Sequence, residues 1–199
     1  KMISTCDQLS GGRIAINLIA GQSEAEIVAE GIKLDKDQRY EVMDEEVEIL
    51  KKLWTSDGKP VHHEGKHYTL KGAELAAPIY QKPYPKFYLG GGSGQAAEIS
   101  AKHSDVHLFW GDTTERIASN MKELRVLAAN FGREDKLGFG MRLQIVCREK
   151  EADAWEAAEG LIKNITEERE RYIREHYAQS VANQRVQELR KTMGDMIAP

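Results

Sequence analysis

Apolar residues along this chain follow two rhythms. Four short, β-rich and nearly continuous runs, RIAINLIAG (13–21), FYL (87–89), DVHLFWG (105–111) and LGFGMRLQIVC (137–147), have the character of strands buried in a parallel sheet. Between them the apolar positions step by three and four, as on one face of a helix. Tyr40, Met43, Val47, Leu50 and Trp54 predict a helix from about Asp37 that stops at the turn Asp57-Gly58. Ile117, Met121, Leu124, Leu127 and Phe131 predict another, capped by Asp112 with Glu115 and closed by Gly132. Shorter helices are predicted over 1–10, after the Ser23/Glu26 capping pair, over Gln95 to Lys102 and over Glu151 to Asn164. Val61 to Leu70 reads as a hairpin turning at Glu64-Gly65-Lys66, and 71–85, with three prolines, as a loop. Beyond Ile165 the chain is charge-rich and helical in period, with Ile173, Val181, Val186 and Leu189 as a thin apolar stripe. Strands alternating with helices call for an α/β fold with a parallel sheet and right-handed crossovers. The pattern leaves a closed (β/α) barrel or an open doubly wound sheet.

Composition narrows the function classes. With 199 residues and 41% apolar content the chain can bury one sizeable core. No run approaches the ~18 apolar residues of a membrane span. The net charge is −4, with basic and acidic residues interspersed, so no footprint for a nucleic-acid backbone exists. Cys6 and Cys147 lack metal or redox spacing and sit in apolar patterns, which predicts buried thiols in a reducing, cytoplasmic setting. Lys1 precedes Met2 with a helix already under way, which predicts a fragment of a longer protein.

Candidate chemistry centres on KFYLGGGSGQAAEIS (86–100), where a strand gives way to bare backbone and then to a helix. Amides stripped of side chains at a helix's positive end suit an anion, phosphate above all. A tight turn that needs glycine only for its dihedral angles is the plainer reading. A third is a dinucleotide fingerprint, since Gly92, Gly94 and Ala97 fit G-x-G-x-x-A and Asp112 lies where a ribose-binding acid would be sought. In the last strand Phe139, Met141, Leu143, Ile145 and Cys147 alternate with Gly138, Gly140, Arg142, Gln144 and Val146. A mid-strand arginine is difficult to bury unpaired between helix layers, whereas a barrel interior gathers such side chains at its C-terminal end. Trp110, ending its strand before Gly111, suits an active-site mouth or a core equally. His62, His63 and His67 have no ligand partners at metal spacing, so surface positions and no metal site are expected. Structural roles are expected for His103 and His107.

Taken together, LSGGRIAINLIAG, LDKDQRYE, EGKHYTLKGAEL, YLGGGSGQAAEISA, HLFWGDTTE and GFGMRLQIVCREKEADAWEAAEGLI resemble, in order, the flavin-dependent alkanesulfonate monooxygenases of the bacterial luciferase-like superfamily. The resemblance covers about four fifths of the chain. It implies a (β/α)8 TIM barrel, only partly present: about four β/α units over 1–164, followed by a charged helical insertion of the same domain over 165–199. It implies reduced FMN as cofactor, O2 as co-substrate, a small organosulfur substrate, and a separate NAD(P)H-dependent flavin reductase as partner, with a homo-oligomeric full-length protein. Gly91, Gly92 and Ser93 match the family's phosphate loop. Asn17, Ala20 and Gly21 match residues lining the isoalloxazine, and Tyr40 matches the tyrosine of a His-x-x-x-Tyr flavin motif whose histidine is here Lys36. Trp110 and Arg142 match substrate-pocket positions, the arginine suited to a sulfonate or a negative flavin peroxide. Gln144 stands where the family has a histidine, and glutamine cannot exchange a proton near neutral pH. Arg142 and Gln144 are thus the candidate catalytic pair. The family's first strands with their cysteine, and its last strand with a mobile arginine loop, have no counterpart in these residues. A deazaflavin (F420) oxidoreductase of the same superfamily, a nicotinamide-binding Rossmann domain and a barrel relative without catalysis are the alternatives.

Overall fold

The computed structural model describes residues 1–21, 23–178 and 180–193. Its elements run α1 (Met2–Ser10), β1 (Ile16–Leu18), α2 (Glu24–Ala29), α3 (Lys36–Thr55), β2 (Val61–Glu64), β3 (Thr69–Ala73), β4 (Phe87–Gly90), α4 (Gly94–His103), β5 (Val106–Trp110), α5 (Thr114–Ala129), β6 (Gly138–Arg142), α6 (Glu151–Ile162), α7 (Glu167–His176) and α8 (Val181–Met193). The main sheet is parallel, in the order β1-β4-β5-β6, while β2 and β3 pair as a separate antiparallel hairpin. The parallel strands are neighbours in chain order with no reversal. A doubly wound nucleotide fold reverses direction at a switch point, so that alternative is excluded.

Register decides which face each side chain takes. Leu18, Leu89, His107 and Phe139 lie side by side, and Ile16 aligns with Phe87. Phe87, Leu89, His107 and Phe109 are buried on this face. Met43, Val47 and Trp54 of α3 and Ala96 and Ile99 of α4 cover Phe87 and Leu89, while Leu124 and Ala128 of α5 pack near Phe109. The opposite face carries Asn17, Tyr88, Val106 and Gly138, then Gly90, Leu108 and Gly140, then Trp110 and Arg142. None of these is fully buried. Helices on one face and a sequential parallel sheet make this the α/β arc of a (β/α) barrel, and its inner face is the one that bears Arg142.

Local chemistry explains the elements. Asp35 and Gln38 form a reciprocal capping box that starts α3. Asp7, fully buried on α1, accepts the backbone N–H groups of Tyr80 and Gln81 at 2.8 Å each and the Gln81 side-chain amide at 2.7 Å, which fixes the loop leading into β4. Glu45 of α3 accepts backbone N–H groups from His67 and Tyr68 at 2.8 Å each and bonds His63 at 2.9 Å, docking the hairpin. His63 is therefore a nearly buried structural group, not a surface one.

Five expectations need correction. The first run pairs only over Ile16–Leu18, because β4 reaches its glycine turn after Leu89 and Gly90. The last run ends as a strand at Arg142, the residue opposite Trp110 where β5 also ends. Residues beyond it have no ladder partner, and Leu143, Gln144 and Ile145 are exposed. The long helix is capped by Thr113, whose hydroxyl accepts the Arg116 N–H, and not by Asp112. Phe131 lies past its end. Both cysteines are exposed: Cys6 lies off the α1 stripe of Ser4 and Asp7, and Cys147 follows the unpaired segment.

His103 and His107 are structural, as their position at a helix-to-strand join suggested. His107, 2% exposed, has Nδ1 at 2.9 Å from Ser100 Oγ, and burial pushes its imidazole down to about 4. The unfolded chain therefore takes up a proton, near pH 6.5 and below, that the folded chain refuses until about pH 4. The stability His107 contributes above that window is lost as pH falls through it, by about 3 kcal/mol. Urea denaturation midpoints measured from neutral pH to pH 4.5 should fall with acid, and His107→Leu should flatten that slope.

Candidate functional site

A cavity of about 530 Å³ opens where the four parallel strands end. Its lining joins the loops after β1 and β4, the C-terminal residues of β5 and β6, the start of α3 and the start of α8. Asn17, Ala20, Gly21, Lys36, Tyr40, Gly91, Gly92, Ser93, Trp110 and Arg142 all face this space, so the sequence-derived candidates converge there. Gln144 does not: it lies past β6, exposed, outside the lining.

The glycine turn has the features that an anion seat requires. Gly91 has φ 150, and a Cβ there would lie 2.8 Å from Ala96 Cβ and 3.7 Å from the Tyr40 hydroxyl. Ser93 is the N-cap of α4, its hydroxyl oxygen accepting the Ala96 N–H at 3.2 Å, which leaves the hydroxyl proton to point elsewhere. Unencumbered backbone and the positive end of a ten-residue helix thus meet at Gly91–Ser93. Among the charged lining residues three are cationic, Lys36, Arg39 and Arg142, against Glu24 alone. The charge balance favours an anionic ligand.

At the other end, Trp110 and Arg142 are register partners on adjacent strands, and the Arg142 guanidinium lies 4.8 Å over the indole ring. This cation–π contact steadies the guanidinium beside the indole, and the N–H fork of a guanidinium suits an anion. Both side chains are partly exposed.

Arg39 was not anticipated. It is 8% exposed and donates Nε to the Ala20 carbonyl at 2.8 Å, Nη1 to the Leu34 carbonyl at 2.8 Å and Nη2 to Glu24 at 3.0 Å. It therefore fixes the loop after β1, where Gly21 has φ 95 and a Cβ would meet Ile27 at 2.4 Å. Its signal was legible: Arg39 stands four residues before Met43, on the stripe that α3 buries. Asp112 also has a different task from those expected. Arg185 donates to both its oxygens at 2.7 Å, and those bonds hold the Asp112 carboxyl below the usual range. A carboxylate so engaged is not a free ribose-binding acid.

Among the described residues one cluster, Asp44, Glu48 and His103, has donor atoms at metal spacing. The Lys102 ammonium lies 2.8 Å from both carboxylates and supplies the positive charge itself.

A family model described as luciferase-like monooxygenase matches residues 1–198. The chain belongs to the luciferase-like monooxygenase family. Among solved structures, this luciferase-like chain is similar to riboflavin lyase RcaE, determined with modified FMN and riboflavin, at 21% identity and TM-score 0.73, over 81% of this chain and 41% of that one. It is similar to the long-chain alkane monooxygenase LadA at 23% identity and TM-score 0.72, over 96% and 46% of the two chains. It is also similar to an F420-dependent secondary alcohol dehydrogenase in complex with an F420–acetone adduct, at 21% identity and TM-score 0.64, over 79% and 47%. The chain spans less than half the length of these structures. No helix among the described residues is long and apolar enough to cross a membrane.

Gly91→Ala forces a side chain into a positive-φ position already filled by Ala96, whereas at Gly92 the obstacle is the tip of Val181. Urea denaturation should show Gly91→Ala losing about 1–3 kcal/mol, more than Gly92→Ala.

Proposed function

We propose that this chain carries the cofactor-binding half of a two-component monooxygenase that uses reduced FMN and O2 on a small organosulfur substrate such as an alkanesulfonate. The observation that carries the reading is the single cavity that unites the bare turn Gly91–Ser93 with Asn17, Ala20, Gly21 and Tyr40 at strand C-termini. These residues fit the group. The turn and the α4 N-terminus match a terminal phosphate, and a Cβ at Gly91 would fill the seat. Reduced FMN, when bound, supplies the electrons by which oxygen is activated.

The chain's own residues would position and stabilise. Gly91, Gly92 and Ser93 would hold the phosphate through backbone N–H groups, and Tyr40 and Lys36 line the same cavity. Ala20 and Gly21 would border the ring, kept in place by the Arg39 bond to the Ala20 carbonyl. Arg142 offers a fixed positive charge to a sulfonate or to negative charge developing near it, and Trp110 orients that charge and forms an apolar wall. Gln144 lies exposed outside the lining, so no proton step is assigned to it. We infer that reduced flavin comes from a separate NAD(P)H-dependent reductase in the cytoplasm, and that the full-length protein is a homo-oligomer. The likeness to the F420-dependent alcohol dehydrogenase favours one second reading, hydride transfer with a deazaflavin in the same cavity.

Anaerobic titration of the protein with reduced FMN, followed by substrate-dependent oxygen uptake, tests the reading against hydride transfer to a deazaflavin. In the full-length protein Arg142→Ala should lower kcat by about 10²-fold while retaining flavin binding, and Arg142→Lys should recover part of the loss. Unchanged turnover in Arg142→Ala would remove the arginine from the chemistry.

A further inference from the structure

Helices α7 and α8 do more than decorate the barrel arc. Arg185 of α8 forks onto Asp112, in the loop after β5, with both bonds at 2.7 Å, and the Asp112 side chain is only 9% exposed. His176 of α7 places Nε2 3.1 Å from the hydroxyl of Ser23, which is 2% exposed and caps α2, and 3.5 Å from Glu26. These two latches tie the helical segment to the loops after β1 and β5. Between the latched residues in sequence come Ser180 and Val181, both of which line the cavity. Val181 sits directly on the glycine turn, since a Cβ added to Gly92 would lie 2.9 Å from its Cγ1. The turn is bracketed, with Tyr40 beside Gly91 and Val181 over Gly92.

A phosphate monoester and a phosphate diester make different demands on such a seat. The monoester ends in three terminal oxygens, all of which can accept N–H groups or face a closed wall. The diester gives one of those positions to a further chain, which must leave the seat. Here Val181, an apolar side chain 40% exposed, stands against Gly92 on a helix held by a bidentate charged pair, in the way of a chain leaving on that side. Opening it requires displacing α8 and separating Arg185 from Asp112.

We propose that Val181 is a specificity-determining residue that closes the phosphate end of the cavity, so that the site takes a flavin ending in a phosphomonoester and rejects cofactors whose phosphate carries a further group. The excluded class comprises FAD, with its pyrophosphate, and deazaflavins with a phosphodiester tail. The inference rests on the flavin reading and adds the residue that selects the form of the cofactor.

The test is binding of riboflavin, FMN and FAD, read by flavin fluorescence, to the wild-type protein and to Val181→Gly, Val181→Ala and Arg185→Ala, each confirmed folded by circular dichroism. Wild type should bind FMN at least tenfold more tightly than FAD. Val181→Gly should bring that ratio toward one, Val181→Ala should fall between, and Arg185→Ala should narrow it by releasing α8. Equal affinity of the wild type for FMN and FAD, or a ratio unmoved by all three substitutions, overturns the role of Val181 while leaving the flavin reading intact. Binding of none of the three compounds overturns the flavin reading and this inference with it. Riboflavin separates the contributions: an affinity equal to that of FMN shows that the turn does not grip phosphate, and sinks the proposal from that side.

Discussion

The row Leu18, Leu89, His107 and Phe139 is the constraint on which the rest of the molecule depends. Side chains alternate across a strand, so burying this row beneath α3, α4 and α5 forces its neighbours to the other face. Parallel pairing then brings all the strand C-termini to one side, where backbone ends and loops collect. Trp110 meets Arg142 because Phe109 and Phe139 pack together behind them, their rings stacked at 5.8 Å. The site is a by-product of the core's register, and a one-residue slip would turn Arg142 toward the helices.

Much of this was legible in the sequence, for reasons that differ by element. The helices announced themselves through apolar spacing and caps, because a helix is a local structure whose signals lie within a few residues of one another. Gly91 to Ser93 was legible because three consecutive glycines between a strand and a helix exceed what a turn requires. Strand ends were not legible. The run from 137 to 147 is equally apolar on both sides of Arg142, and only the length of β5 beside it determines where pairing stops. That dependence on a neighbour is also why Gln144 looked like a pocket residue from its alternation and proves to lie beyond the ladder.

Asp112 shows the same limit in a different form. Its spacing fitted a helix cap or a ribose acid, and neither points to a distant side chain of the same protein. The partner is Arg185, 73 residues on, in a segment whose pattern showed only charge and a helical period. For Arg39 the place on the buried stripe of α3 was legible but the partners were not: they are the Ala20 and Leu34 carbonyls and Glu24, and backbone acceptors leave no trace in side-chain patterns. Thr113, beside Asp112, takes over the cap and so releases the carboxylate for Arg185.

Asp7 carries a kinetic consequence. Its three bonds to Tyr80 and Gln81 join points more than seventy residues apart and are made by a fully buried carboxylate. Loop closure of that length is entropically unfavourable before any of the three contacts returns enthalpy. The β2–β3 hairpin and α3 lie inside that loop and have short-range contacts of their own, so their assembly shortens the effective span to be closed. A local unit that folds early would thus serve as a spacer, delivering the entry to β4 within reach of the first helix.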